Sequence, residues 1–254
     1  MIPFFDKYPL VVKEETYNDL LNLNPSDAAL LVALAGKRCY KSFEVGLNPN
    51  ITKIRSDLCE YVDNILLSGH GSVLEHAVHS FAIENISRVF TAEMNRHRAG
   101  WAISEGSMRF IRFDDIQAWL PSSIIINKND SEPDRYRKIE TERLFIEAFK
   151  QDEINYKELC DLWDIDNMKD FNKKKQLTSL FRRIIPMGIA TGGIWTGNIR
   201  ALRHVITLRN SAASEEEICY VFSRIAKMML EKEKMLFGDF EFIDGYFKPK
   251  YVKV

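Results

Sequence analysis

Paired cysteines are missing from this chain. Its four, Cys39, Cys59, Cys160 and Cys219, lie far apart and form no C-x-x-C pair. That argues against a disulfide framework or a structural zinc site and points to reduced thiols in the cytoplasm. No apolar run reaches the roughly 18 residues needed to span a bilayer, so no membrane association is expected. Met1-Ile2-Pro3-Phe4-Phe5-Asp6 lacks a basic region followed by a long apolar run, so no signal peptide is expected. Net charge is nearly absent as well, at -1 for pH 7. Nucleic-acid-binding domains are usually basic, so no nucleic-acid partner is expected and any phosphate binding must be local. No internal repeat is visible.

What is present suits a well-filled core: 254 residues, 46% hydrophobic and 28% charged. Val11-Val12 reads as a short strand. Ser26-Asp27 caps a helix through Leu30, Leu31, Leu34 and Ala35, closed by Gly36. A second helix spans 51–67, with Ile54, Leu58, Val62, Ile65 and Leu66 on one stripe and Ser68-Gly69 closing it. Alternation over 77–84 predicts a strand in which His79 is a packed residue. Residues 86–95 read as a helix with Ile86, Val89, Phe90 and Met94 inward, and 108–113 as another strand. Residues 126–175 predict a polar loop and one or two charged surface helices with an apolar stripe at Leu144, Phe145, Ala148 and Phe149. The stretch 177–185 is helical. Thr196 caps a helix through Leu202, Val205 and Ile206 to Arg209. Ser214, with Glu217 three residues on, forms a capping box for a last helix striped by Ile218, Val221, Phe222, Ile225, Met228 and Met229. The aromatic tail, 240–254, reads as an edge strand or arm.

The chemistry concentrates in one stretch. Glu93-Met94-Asn95-Arg96-His97-Arg98 closes a helix, and 99–106 leads to Ser107-Met108-Arg109. Arginine presents a fixed fork of donors that matches carboxylates, phosphates and planar heterocycles. Gly100 and Gly106 let a backbone approach a ligand closely. The stretch therefore reads as an anion-binding loop after a helix. Histidines 70, 76 and 79 lack the i, i+4 spacing of a helical zinc motif, so no metal is expected.

Arg96-His97-Arg98, a short spacer and Ser107-x-Arg109 resemble the signature of the flavin-dependent thymidylate synthases. Further motifs follow that family in order. Lys37-Arg38-Cys39-Tyr40 stands at its A-R-V-S-like segment. His70-Gly71-Ser72-Val73-Leu74-Glu75-His76 is similar to H-x-T-x-x-E-H. Trp119-Leu120-Pro121 matches an apolar-proline stop, Arg182-Arg183-Ile184-Ile185-Pro186 resembles A-R-x-x-L-P, and Thr191 to Arg200 resembles T-x-x-x-W-T-x-N-x-R. The resemblance implies a single α/β domain of the α+β type over 1–254. Its mixed or antiparallel sheet would be flanked by helices, with 126–175 as a charged helical insertion.

The resemblance also implies a reaction: reductive methylation of C5 of dUMP to dTMP. Methylenetetrahydrofolate would give the one-carbon unit, and FAD, reduced by NADPH, the electrons. It implies a homotetramer with active sites shared between subunits. Cys39, His70, Ser72, Glu75, Arg96, His97, Arg98, Asn198, Arg200 and His204 would surround FAD. Glu93, Arg96, Glu105, Gly106, Ser107, Met108, Arg109, Arg182 and Arg209 would bind the nucleotide. Of these, Ser107 and Arg209 would act at the reacting pyrimidine, Arg209 by polarising it.

The chain also departs from the family pattern. The spacer before Ser107 is one residue longer, Ala213 stands for a flavin-contacting histidine, and His204 for an asparagine. Glu93 replaces a glutamine beside the nucleotide. A carboxylate only accepts hydrogen bonds, so it would favour a base that donates, such as cytosine. The alternative readings are therefore C5 methylation or hydroxymethylation of another pyrimidine nucleotide such as dCMP, or a non-catalytic flavin- or nucleotide-binding protein.

Overall fold

A computed structural model describes residues 25–109, 113 and 117–254. The strand read at Val11-Val12 and the middle of the one read over 108–113 lie outside the described residues. Helix α1, Asp27–Tyr40, is capped by Ser26, whose Oγ accepts from Ala29 N at 3.1 Å. Gly36 does not end it: the helix runs one more turn to Lys41 in the left-handed conformation. The glycine serves packing instead, because a Cβ there would stand 2.7 Å from the Tyr61 hydroxyl on the neighbouring helix. That helix, α2, covers only Leu58–Leu67, capped by Asp57, so Ile54 lies outside it. A 3-10 turn, Gly71–His76, carries the histidine-serine-glutamate motif into strand β1, Val78–Ser87.

Strand β1 hands over directly to helix α3, Arg88–Met94. Strand β2 is Trp101–Glu105, inside the stretch read as a loop. Trp101, Ile103 and Glu105 turn inward while Ala102 and Ser104 turn out, the period of a half-buried strand. Met108 and Arg109, expected to begin a strand, lie in a turn. Strand β3, Ala190–Asn198, is the centre of an antiparallel sheet of order β1-β3-β2. Trp195 pairs with Phe81 on one side and Ile103 on the other, and is 1% exposed. The sheet is antiparallel and flanked by helices, as expected.

The charged insertion is mostly one helix, α4, Glu132–Leu162, followed by α5, Phe171–Phe181, and a 3-10 turn at Arg182–Ile184. Only Phe149 of its stripe packs where the sequence puts it, on a second apolar cluster. Leu144 and Phe145 are 56% and 42% exposed, and burial moves to Tyr156 and Cys160. These form that cluster with Ile165, Leu177, Phe181, Ile185 and Ile189, and Tyr156 meets the Phe181 ring of α5 edge-on.

Helix α6, Ile199–Arg209, is capped by Asn198 and not by Thr196, which lies inside β3 and meets Ser80 at 2.8 Å. Helix α7, Glu216–Lys232, is capped by Glu215. Ser214 bonds back to Leu208, and Glu217 leaves its own helix end to reach Ser87. Met228 is exposed and Ala226 is buried instead. A short helix α8, Lys234–Phe237, leads to a hairpin of β4, Phe240–Ile243, and β5, Tyr246–Pro249. Its Asp244-Gly245 turn has two positive φ angles, 53° and 87°, which suits Asp-Gly. The tail is thus a separate two-stranded sheet.

Candidate functional site

Helix α6 links two groups of candidate residues. Arg200 lies in its first turn and Arg209 in its last, roughly 14 Å apart at the helical rise. Near the first end, Cys39, Tyr40, Gly69, His70, Ser72 and Arg200 line a cavity of about 330 Å³. The Tyr40 hydroxyl is 3.3 Å from His70 Nε2. Arg200 pairs with Glu75 at 2.6 Å, both about half exposed. Gly71 makes room for Arg200, since a Cβ there would approach its Nε to 2.7 Å. Asn198 accepts the capping hydrogen bond from Ala201 N on its side-chain oxygen at 2.8 Å, which leaves its NH2 and a second lone pair of that oxygen for a ligand. Gly100, at φ +76°, lets the backbone pass that amide, 2.6 Å from where a Cβ would stand.

The second group gathers around Arg209, which is 14% exposed. Its Nε donates to His97 Nε2 at 2.8 Å, one terminal nitrogen pairs with Glu93 Oε2 at 2.8 Å, and the other reaches the Glu93 carbonyl at 3.4 Å. Arg96 approaches the other Glu93 oxygen at 3.5 Å while 70% exposed. The His204 ring meets His97 edge-on, centroids 6.3 Å apart. Arg98 is exposed. Because Arg209 can only donate, His97 Nε2 is the acceptor and its neutral ring carries the proton on Nδ1.

Burial, then the positive charge of Arg209 and His204, lowers the His97 pKa. The unfolded chain therefore takes up this proton first. Stability from His97 is present above the ordinary histidine value and is lost as pH falls through it toward the lower folded one. In an NMR titration the His97 ring signals, assigned by their loss in His97→Gln, are expected to have a midpoint below 6.5. A midpoint at or above that value would remove the neutral-acceptor assignment.

The third group is Glu105, Gly106, Ser107, Met108 and Arg109. Arg88 fixes its start, pairing with Glu105 at 2.9 Å and donating to the Gly106 carbonyl. Arg109 Nε donates to Ser179 Oγ on α5 at 2.9 Å, and Thr178 Oγ1 donates to the Arg109 carbonyl at 3.2 Å. Arg182 follows α5 and is exposed. Met108 is half-buried against the second apolar cluster.

Two contacts that set this geometry are not legible in the sequence, those of Arg88 and of Glu217, whose capping-box position points it to its own helix end. Arg88 opens a helix, where the dipole disfavours a cation; such a local violation signals a distant partner. Glu217, 1% exposed, accepts from Ser87 N at 2.6 Å and from the Ser87 hydroxyl. The same Ser87 Oγ caps α3 at Val89 N and Phe90 N. Burial raises the Glu217 pKa despite these donors.

The donors around the first cavity are an imidazole, a hydroxyl and a guanidinium, with two tyrosine rings and three glycines beside them. That set fits part of an anionic, planar cofactor such as a flavin nucleotide.

The family model described as "Thymidylate synthase complementing protein" matches residues 19–233. A flavin-dependent thymidylate synthase of Corynebacterium diphtheriae is 30% identical over 219 residues, covering 85% of this chain and 80% of that one. One of Mycolicibacterium vanbaalenii is 32% identical over 218 residues, with 85% and 80% covered. One of Mycobacteroides abscessus is 31% identical over 216 residues, with 83% and 79% covered. With its motifs in family order and the match extending over most of its length, the chain belongs to the thymidylate synthase complementing protein family, the flavin-dependent thymidylate synthases.

Proposed function

We propose that this chain catalyses the reductive methylation of dUMP at C5, giving dTMP. Methylenetetrahydrofolate supplies the one-carbon unit and NADPH the reducing equivalents. A methylene group becomes a methyl by gaining two electrons, and the pyrimidine loses its C5 proton. Bound FAD supplies that two-electron reduction, with His70, Ser72, Glu75, Arg96, His97, Arg98, Asn198 and Arg200 as its candidate holders.

The observation that carries the reading is the setting of Arg209. Its guanidinium is oriented by Glu93 and by a neutral imidazole. Three of its five N–H donors are engaged, which leaves two to polarise a pyrimidine carbonyl as electron density builds there. Ser107 offers a hydroxyl, and Arg109 and Arg182 offer forks for the 5′-phosphate. The three groups supply different parts of sites shared between subunits of a homotetramer. A flavin-loaded protein with a stable monomer mass in solution would contradict that assembly.

The cytosine alternative loses its support, because both Glu93 oxygens face arginines, Arg209 and Arg96. The test incubates wild type and Glu93→Gln with FAD, NADPH, methylenetetrahydrofolate and dUMP, dCMP or UMP, with mass analysis of products. Wild type is expected to methylate dUMP alone, and the variant to keep that base preference. Methylation of dCMP in preference to dUMP, or flavin reduction without one-carbon transfer, would overturn the proposal.

A further inference from the structure

Helix α1 carries a lysine where its spacing calls for a core residue. Leu30, Ala33, Leu34 and Lys37 fall at i, i+3, i+4 and i+7, and Lys37 is 3% exposed. Its ammonium donates to the Arg55 carbonyl at 3.1 Å and lies 4.6 Å from the centre of the Tyr61 ring. Neither partner is an anion. Burial lowers its pKa, and among the described residues no carboxylate opposes that shift. A buried cation without a counter-charge is costly unless something else compensates it.

Lys37 lines a second cavity, of about 200 Å³, together with Lys53, Arg55, Ser42, Tyr61 and Asn64. Among the described residues, no Asp or Glu lines it. Arg55 pairs outward with Glu60 at 3.3 Å, both well exposed, so that pair is weak and screened. The cavity therefore concentrates positive charge and hydroxyl donors in a chain of almost no net charge. It also adjoins the first cavity: Tyr40, Tyr61, Ile65 and His70 line both. At that shared wall the Tyr40 and His70 rings are 5.5 Å apart and tilted by 31°.

We infer that the second cavity is an anion subsite, taking the phosphate or carboxylate end of a co-substrate that enters past Tyr40 and His70, the wall this cavity shares with the flavin cavity. The inference rests on the function proposed above, which requires two anionic co-substrates. NADPH would bring its 2′-phosphate and methylenetetrahydrofolate its glutamyl carboxylates. Either would give the Lys37 ammonium the counter-charge that the described residues do not supply, with Lys53 at the mouth.

The test titrates flavin-loaded wild type, Lys37→Gln and Lys53→Ala by calorimetry with two probe pairs. One pair is adenosine 2′,5′-bisphosphate against adenosine 5′-monophosphate. The other is pteroylglutamate against pteroate. In one pair the member with the additional anionic group, the 2′-phosphate or the glutamyl carboxylates, is expected to lose about tenfold in affinity in both variants, as for a lost charge-assisted hydrogen bond. Its partner should be unaffected. Loss in the first pair assigns the subsite to the nicotinamide cofactor, and loss in the second to the folate. Unchanged affinities of both anionic probes would overturn the inference, as would a fall in flavin content, read from visible absorbance, which would give the site to the flavin itself. Lys53 is exposed, so its variant decides the matter if Lys37→Gln fails to fold. A wild type that makes dTMP with unchanged probe affinities in the variants refutes only the subsite. A wild type that makes none refutes the function while the probe result stands.

Discussion

Arg209→Lys is expected to lower kcat for dTMP formation by about 10²–10³-fold, the usual cost of removing one preorganised electrostatic group. The charge survives this change but the fork does not. Arg209 reaches His97, the Glu93 carboxylate and the Glu93 carbonyl with three different nitrogens. An ammonium is a single point and cannot hold that plane while also facing a substrate carbonyl. The residue is only partly buried and ends its helix, so the fold should tolerate lysine. Steady-state kinetics beside a thermal melt separates the two effects. A variant with wild-type kcat would show that Arg209 does not act on the reacting pyrimidine.

The largest expected effect on stability comes from a residue with no role in the proposed chemistry. Arg203 is 2% exposed and grips the Asp239 carboxylate with both terminal nitrogens, at 2.6 and 2.8 Å. It also donates to the Leu236 carbonyl at 2.5 Å and lies 4.8 Å from the centre of the Phe240 ring. This one side chain ties α6 to the start of the terminal hairpin. Arg203→Met leaves Asp239, 5% exposed, as an uncompensated buried charge, costing roughly 3–5 kcal/mol. For a chain of this size that corresponds to a Tm lower by on the order of 10 °C. The double variant Arg203→Met/Asp239→Leu should recover a large part of the loss, because replacing both members of a buried pair by apolar groups is often nearly neutral. Equal melting of wild type and the single variant would show that the pair carries no net stability.

Local pattern was enough for much of the fold. Apolar spacing pointed to the helices observed at 27–40, 58–67 and 216–232, though with the first stopped at Gly36 and the second begun at 51, because each must bury one face whatever it packs against. Alternation located β1 for the same reason. The ordered motifs place His70, Arg96, Arg209 and their companions at or beside element ends. Ends and caps were less legible. Asn198 in place of Thr196, and Glu215 in place of Ser214, depend on where a strand stops pairing, and that is set by its neighbours. Strand β2 was read as a loop because five residues hold too little alternation to outweigh two flanking glycines.

Some side chains were settled only by tertiary structure. Gly36 looks like a helix stop until Tyr61 arrives beside it. Lys37, Arg203 and Glu217 are charged residues at core positions, and each conflicts with its local pattern. Their partners are Arg55, Asp239 and Ser87. The Arg203 and Glu217 partners lie 36 and 130 residues away. The sequence alone determined which segments must be buried and which chemistry the chain carries, because hydrophobic periodicity and side-chain type are local properties. Which charge meets which partner was decided by the tertiary structure, because a buried charge is stable only where the fold brings a distant donor or acceptor within hydrogen-bond reach.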